Sequence, residues 1–357
     1  MQTQSKFRLL VVRLGAMGDI LHALPAVTAL RIAHPEWLID WVVEPTWRAL
    51  LAAESSEGRD TGSILPRQPL VDRIHSAASK QWRKRPFSVH TRREINALRR
   101  AIKQEHYDAV LDLQGALRSA VIGRMAASRR FIGESRPREW AARWMFTERV
   151  ETQGAHVIEQ DLELASSVAG DALIPVEPWL PVDPAAEAWA DTLVNSGDVA
   201  VLINPGAGWG AKRWPAERYA DVARALLNRG VHVLVNAGPG EARLADVIVK
   251  RTGGGATPLL CSVEQLIAIT RRVKLAIAGD TGPLHLACAL GRPVVGIYGP
   301  TDPSRNGPYG TRFRVLRSPE SRRDHSRHEA PEAGMLTILP EDVLQAVDQL
   351  LYSEAAQ

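Results

Sequence analysis

Four short segments of this chain concentrate residue types that can hold phosphate or move a proton. Arg13-Leu14-Gly15-Ala16-Met17-Gly18-Asp19 sets two glycines ahead of a carboxylate. The glycines permit a tight turn and a close approach of ligand to backbone. Asp19 falls in the first turn of an expected helix, where the helix dipole favours its ionised form. Such a carboxylate can accept a proton from a nucleophilic hydroxyl, or it can serve the helix alone. Position by itself leaves both readings open. The loop reads G-x-x-G, short of the G-x-G-x-x-G of dinucleotide-binding folds. Glu44, at the end of the next expected strand, still keeps a nicotinamide reading in view.

The second segment runs from Asn204 to Pro215, with Gly206, Gly208 and Gly210 at alternate positions, then Lys212-Arg213-Trp214-Pro215. Backbone N–H groups of such a loop can cradle phosphate oxygens while Lys212 supplies a cation. A plain turn is the competing reading. The order differs from that of a Walker A loop, and Pro215 suits the start of the next helix. In the third segment, Gly279-Asp280-Thr281-Gly282-Pro283-Leu284-His285-Leu286, Asp280 or Thr281 is expected to cap a helix whose free N–H groups suit an anion. His285 comes about one turn into that helix and could face a cleft or the core. The fourth, Tyr298-Gly299-Pro300-Thr301-Asp302-Pro303, reads as a rigid turn that shapes a cleft without chemistry of its own. No carboxylate cluster has metal-ligand spacing, so no metal site is expected.

Each segment needs a strand to deliver it. Phe7–Arg13 is rich in strand-forming residues, and Ile20–Ala33 carries Leu21, Leu24, Val27 and Leu30 at helical spacing, with Pro25 expected in its first turns. Leu38–Val43 and Tyr107–Leu113 read as further strands, each followed by a helical stretch. Five residues, Gly170, Pro175, Pro178, Pro181 and Pro184, then break the pattern and mark a linker. A second series follows, with strands at Val199–Asn204, Val231–Asn236, Leu275–Ala278 and Val294–Tyr298. The polar stretch Pro319–Gly334 reads as a mobile loop, and Leu339–Tyr352 as a closing amphipathic helix. Strands alternating with helices imply α/β units with parallel sheets. The expectation is two Rossmann-like parallel-sheet domains facing a cleft: residues 1–170, a linker over 171–184, a second domain over 185–335, and a closing helix over 336–357.

Composition narrows the class. The chain has 357 residues, 45% of them hydrophobic and 24% charged, as in ordinary soluble proteins of about two domains. Apolar runs such as Leu9–Val12 are far short of a membrane span, and no leader pattern precedes them. Two cysteines, Cys261 and Cys288, are too few for a disulfide framework; their apolar neighbours suggest small buried residues. Soluble, cytoplasmic placement is the expectation. Charge is uneven: Lys80–Arg149 holds 17 Lys+Arg against 7 Asp+Glu, an excess of +10 that leaves −6 for the rest of a chain whose net charge is +4. The cluster Lys80, Arg83, Lys84, Arg85, Arg92, Arg93 is either a solvated helix face or an anion-binding surface. It has neither the aromatic pattern nor the zinc-ligand spacing of a nucleic-acid module.

Together the segments resemble the ADP-heptose:lipopolysaccharide heptosyltransferases, glycosyltransferase family 9, of GT-B fold. The resemblance lies in Gly18-Asp19-Ile20-Leu21-His22-Ala23-Leu24-Pro25, Lys212-Arg213-Trp214-Pro215, Asp280-Thr281-Gly282-Pro283-Leu284-His285-Leu286-Ala287 and Tyr298-Gly299-Pro300-Thr301-Asp302-Pro303, in the family's order across residues 10–310. It implies an inverting transfer of heptose from ADP-L-glycero-D-manno-heptose to a Kdo residue of the lipopolysaccharide inner core. By resemblance, Asp19 is the general base and Lys212 offsets charge on the leaving diphosphate. Gly206, Gly208, Arg213, Glu241, Asp280, Thr281, Gly282 and His285 belong to the donor side, Glu241 toward the ribose. Gly18, Lys80, Trp82, Arg83, Lys84 and Arg138-Glu139 belong to the acceptor side, most like the member that adds the first heptose to Kdo. The implied partners are the nucleotide sugar and an anionic lipid-linked acceptor at the inner membrane, with a monomeric enzyme, no nucleic acid and no cofactor.

Ala16, Ala207 and Gly208 stand where that member carries hydroxyl residues, so phosphate contacts there fall to backbone N–H groups; Lys80-Gln81 replaces an arginine pair. The alternatives are a family member with another sugar or acceptor, such as the one adding the second heptose, a nucleotide-dependent oxidoreductase, or a basic membrane- or nucleic-acid-binding protein.

Overall fold

The computed structural model describes residues 6–53, 70–321 and 329–352. The chain divides between Pro181 and Val182 into two compact units. The first contains β1 (Arg8–Val12), α1 (Met17–Ala33), β2 (Leu38–Val43), β3 (Arg73–Ser76), α2 (Ser79–Lys84), α3 (Val89–Gln104), β4 (Ala109–Asp112), α4 (Leu117–Arg124), β5 (Arg130–Glu134), β6 (Glu148–Val150) and α5 (Val157–Ala169). Its six strands are all parallel, in the order β3-β2-β1-β4-β5-β6. The second contains α6 (Pro184–Asp191), β7 (Ala200–Asn204), α7 (Ala216–Leu227), β8 (His232–Asn236), α8 (Ala242–Arg251), β9 (Thr257–Leu259), α9 (Val263–Arg272), β10 (Leu275–Gly279), α10 (Gly282–Ala289), β11 (Val294–Tyr298), α11 (Pro303–Asn306), β12 (Phe313–Arg317) and α12 (Pro340–Leu351). Its sheet repeats the plan as β12-β11-β10-β7-β8-β9, again all parallel.

Central strands such as Leu9–Val12 and Val201–Ile203 are wholly apolar because helices cover both sheet faces. Five strands go beyond those expected from sequence: β3, β5, β6, β9 and β12. Four of them are sheet edges, where charge or proline discourages pairing with another chain; Pro258 sits within edge strand β9. In β5 and β6 the charges pair with each other, Arg130 donating to both carboxylate oxygens of Glu148 at 2.8 and 3.0 Å.

Helix α1 corrects two expectations. It begins at Met17, so Pro25 lies in its third turn, and its burial is nearly all-round: Ile20 through Arg31 are all buried. A one-sided apolar stripe underestimates a helix covered on every side. Cys288 is buried as expected, but Cys261 is half-buried, its thiol 3.3 Å from the Asn236 side-chain oxygen. The expected loop Pro319–Gly334 falls partly on residues 322–328, outside the described residues. Its end is docked: Gly334 and Met335 are buried in a 3-10 turn over Ala333–Thr337. Helix α12 lays Val343, Ala346, Val347 and Leu350 into the second unit's core.

Candidate active site

In open α/β sheets ligands bind beyond the carboxyl ends of strands, where the strand order reverses. That switch falls between β1 and β4 in the first unit and between β7 and β10 in the second. The Arg13–Asp19 segment leaves β1, the Asn204–Pro215 segment leaves β7, and the Gly279–Leu286 segment leaves β10. Three of the four chemical segments therefore sit at switch points.

In the first unit Asp19 is the third residue of α1 and accepts the Ala16 N–H through Oδ2 at 2.8 Å, helping to cap the helix. Buried Arg13 reaches the same residue from β1: its Nε donates to the Asp19 carbonyl at 3.1 Å, and its terminal nitrogen lies 3.3 Å from Oδ1. The Asp19 side chain keeps 38% of its surface exposed, so capping and access to a hydroxyl coexist. Gly15 is required here: its φ is +149°, and a Cβ would stand 3.0 Å from the Trp47 indole.

Asp112, which belongs to none of the four segments, is the last residue of β4, paired in register with Val12. Its Oδ1 accepts the N–H groups of Gln114 and Gly115 at 2.7 and 2.8 Å, while Oδ2 is buried without a partner among the described residues. Burial pushes this carboxyl up to about 6, against the pull of those hydrogen bonds and of Arg13. Gln114 Oε1 accepts the Leu14 N–H at 2.8 Å, tying the β4 loop to the glycine loop. An acidic residue next to the end of the expected apolar strand Tyr107–Leu113 was the available signal.

In the second unit Asp280 does not cap α10, and neither does Thr281, whose hydroxyl donates back to the Gly279 carbonyl at 3.2 Å. The Lys212 ammonium and His285 draw the Asp280 carboxylate away: Lys212 pairs with Oδ2, and His285 Nε2 lies 3.3 Å from Oδ1. Burial alone would raise this carboxyl, but the His285 hydrogen bond and the Lys212 charge hold it well below the usual carboxylate range. Lys212 also stands 4.3 Å from the centre of the Trp209 ring. His285 is buried against Asp280.

The three alternate glycines have different reasons. A methyl on Gly206 would collide with the Glu241 carboxylate, and one on Gly210 with the main chain of Glu329; only Gly208 faces open space. The N–H groups of Ala207 and Gly208 make no hydrogen bond among the described residues. Glu241, just before α8, accepts the Gly238 N–H at 3.1 Å. The fold thus brings Gly206, Gly238 and Glu241 together, and separately Lys212, Asp280 and His285. Arg213 donates to the Ala207 carbonyl at 3.3 Å, and Gly282 opens α10.

Of the positions expected on an acceptor side, Lys80, Arg83, Lys84 and Arg138 are exposed, and Gly18 lies in the first turn of α1 beside Asp19. None of the cluster Lys80 to Arg93 forms an ion pair among the described residues. Trp82 is an anchor, buried with its indole N–H donating to Glu94 at 3.0 Å. Glu139 serves α4 by accepting the Leu117 N–H at 2.8 Å. Glu44 is also committed, taking the Ser79 hydroxyl and the Lys80 N–H at the start of α2. That removes the residue on which a nicotinamide reading leaned.

A sequence profile of glycosyltransferase family 9 (heptosyltransferase) matches residues 95–335. The chain is similar to lipopolysaccharide heptosyltransferase 1 of Escherichia coli K12, 29% identical over 324 residues that cover 87% of this chain and 94% of that protein. It is also similar to the lipopolysaccharide core heptosyltransferase OpsX of Haemophilus influenzae, at 26% identity covering 88% and 85%. Among solved structures, E. coli heptosyltransferase WaaC with ADP-2-deoxy-2-fluoro heptose superposes with a TM-score of 0.77 at 26% identity, covering 96% of this chain and 99% of that one. The E. coli ADP-heptose lps heptosyltransferase II shares the fold, with a TM-score of 0.73 at 22% identity and coverage of 98% and 100%. The two parallel sheets are thus those of the GT-B class, and the chain belongs to glycosyltransferase family 9, the heptosyltransferases.

Proposed function

We propose that this enzyme transfers heptose, with inversion, from ADP-L-glycero-D-manno-heptose to a Kdo residue of the lipopolysaccharide inner core. The observation that carries the reading is the division of labour between switch points: a half-exposed carboxylate on the first sheet, and a buried cation beside free backbone N–H groups on the second. A structural neighbour crystallised with an ADP-heptose analogue supports the donor.

In this reading Asp19 takes the proton of the acceptor hydroxyl as its oxygen bonds to the anomeric carbon. The bond from that carbon to the diphosphate breaks, and the electron pair leaves with ADP. Lys212, Arg213 and the N–H groups of Ala207 and Gly208 stabilise the charge that develops there. Asp280 and His285 hold the Lys212 ammonium in place, and Glu241 meets the ribose. Lys80, Arg83, Lys84 and Arg138 attract the anionic acceptor at long range. The enzyme works as a monomer at the cytoplasmic face of the inner membrane. Among the described residues no helix is long and apolar enough to cross a membrane.

A second reading has specific support. The hydroxyl-free positions Ala16, Ala207 and Gly208 leave room for a family member with a different sugar donor, and Lys80-Gln81 for one with a different acceptor core.

The test is transfer from ADP-heptose to Kdo-lipid A by wild type and Asp19→Ala, with ADP binding followed by calorimetry. Wild type should transfer, and the variant should lose about 100-fold or more in kcat/KM while binding ADP unchanged. Wild type that binds ADP yet leaves Kdo-lipid A untouched would refute the acceptor. A variant of undiminished rate would refute the base.

A further inference from the structure

The 3-10 turn Trp140–Met145 is anchored by Ala142 and Phe146, both buried, yet its two tryptophans point outward with 56% and 71% of their surface exposed. The Arg143 guanidinium lies 4.7 Å from the Trp140 ring centre, and that of Arg149 lies 5.8 Å from Trp144. The turn packs against α4, joined to it through Glu139, whose N–H donates to the Gly115 carbonyl and whose carboxylate accepts the Leu117 N–H. On α4, Leu117 and Val121 are exposed one turn apart. Apolar and aromatic surface therefore continues from the turn onto the helix.

The surrounding charge is one-sided. From Leu117 to Arg149 the chain has eight arginines and three glutamates. Glu139 is spent on the start of α4 and Glu148 on Arg130. Arg118, Arg124 and Arg129 are exposed and without an ion pair among the described residues. Indole rings with one polar edge belong at a boundary between water and hydrocarbon. Guanidinium groups beside them attract anionic headgroups.

We propose that this face, Trp140, Trp144, Leu117 and Val121 with Arg118 and Arg149, docks the enzyme on an anionic phospholipid surface. The tryptophans sit at headgroup depth, and the arginines pair with lipid phosphates. An apolar protein partner would leave the guanidinium groups beside the indoles without a counter-charge, and a second copy of this chain would bring the same positive charge against itself. The inference rests on the proposed function only for its setting at a membrane.

The full chain is sedimented with vesicles of phosphatidylethanolamine and phosphatidylglycerol, and with vesicles of phosphatidylcholine alone. Wild type should bind the first far better than the second and release as salt is added. The double variant Trp140→Ala/Trp144→Ala should bind at least about 10-fold more weakly. Arg118→Glu, which leaves the indoles in place, should weaken binding at least about fivefold. All three proteins should transfer heptose to a lipid-free acceptor at equal rates, and this assay reads the proposed function independently of docking. Unchanged vesicle binding by both variants would overturn the assignment, as would equal binding to neutral vesicles. A wild-type dimer that becomes a monomer in the double variant, by sedimentation velocity, would make the face a self-association surface and overturn it too.

Discussion

Replacing Asp112 with asparagine should change how stability responds to pH. The wild-type carboxyl is buried at the end of β4 with its titration pushed up to about 6, from an ordinary value near 4. Between those values the folded protein keeps a proton that the unfolded chain has released. Stability is therefore lost as the pH rises through this window, and above it the loss is constant. At 1.36 kcal/mol per pH unit, the loss amounts to about 3 kcal/mol. Asparagine fits the same space, its oxygen accepting the Gln114 and Gly115 N–H groups, and it has no proton to release. Whatever fixed effect the amide has cancels when the two proteins are compared at two pH values. Urea denaturation of both at pH about 4.5 and about 8 should show the variant gaining about 2 kcal/mol relative to wild type at the higher pH, since roughly 1 kcal/mol of the loss already lies below pH 4.5. A difference that stays constant with pH would refute the account, because the carboxyl would then ionise as an exposed one does.

Lys212→Ala leaves the Asp280 carboxylate buried beside His285 and should lower stability by about 3 kcal/mol; Lys212→Ala/Asp280→Asn should recover most of it, read by urea midpoint. In wild type the stabilisation of Asp280 is present above pH about 4 and is lost as the pH falls below it, since its folded value is depressed. Glu44→Ala removes the acceptor for the Ser79 hydroxyl and Lys80 N–H and should destabilise by about 1 kcal/mol, with faster amide exchange confined to α2. Gly133→Ala places a methyl 2.5 Å from the Phe146 ring, which packs edge-on to Phe131 at 5.1 Å; thermal denaturation should show a loss of about 1–3 kcal/mol.

The central strands were legible because a strand covered on both faces is a continuous apolar run, as in Leu9–Val12 and Val201–Ile203. The edge strands were not, because their charges answer to partners distant in sequence: Arg130 makes sense in β5 only once Glu148 lies beside it. The same limit governs the site. Lys212, Asp280 and His285 could each be named from local pattern, but their mutual pairing replaces the helix cap that local rules assign to Asp280 or Thr281. Two glycines of the Asn204–Pro215 segment suggested a phosphate cradle; one makes room for Glu241, the other for the chain at Glu329. Asp112 was visible as a letter and invisible as a buried, half-satisfied acid.

Every strand pairing described here joins strands of the same half of the chain, which bears on the order in which the protein takes shape during synthesis. The first sheet has all its strands once Val150 has left the ribosome, before any of the second sheet has been made. Domains generally fold as units from the N-terminal side as the chain emerges. The second sheet gains its last strand at Phe313–Arg317, but its core still lacks Val343, Val347 and Leu350 from α12. For an interval the nascent chain therefore carries a finished unit followed by one whose sheet has formed and whose apolar face, covered by α7 and α8, still lacks the α12 part of its cover. That interval is when the second half is most open to chaperones and to aggregation.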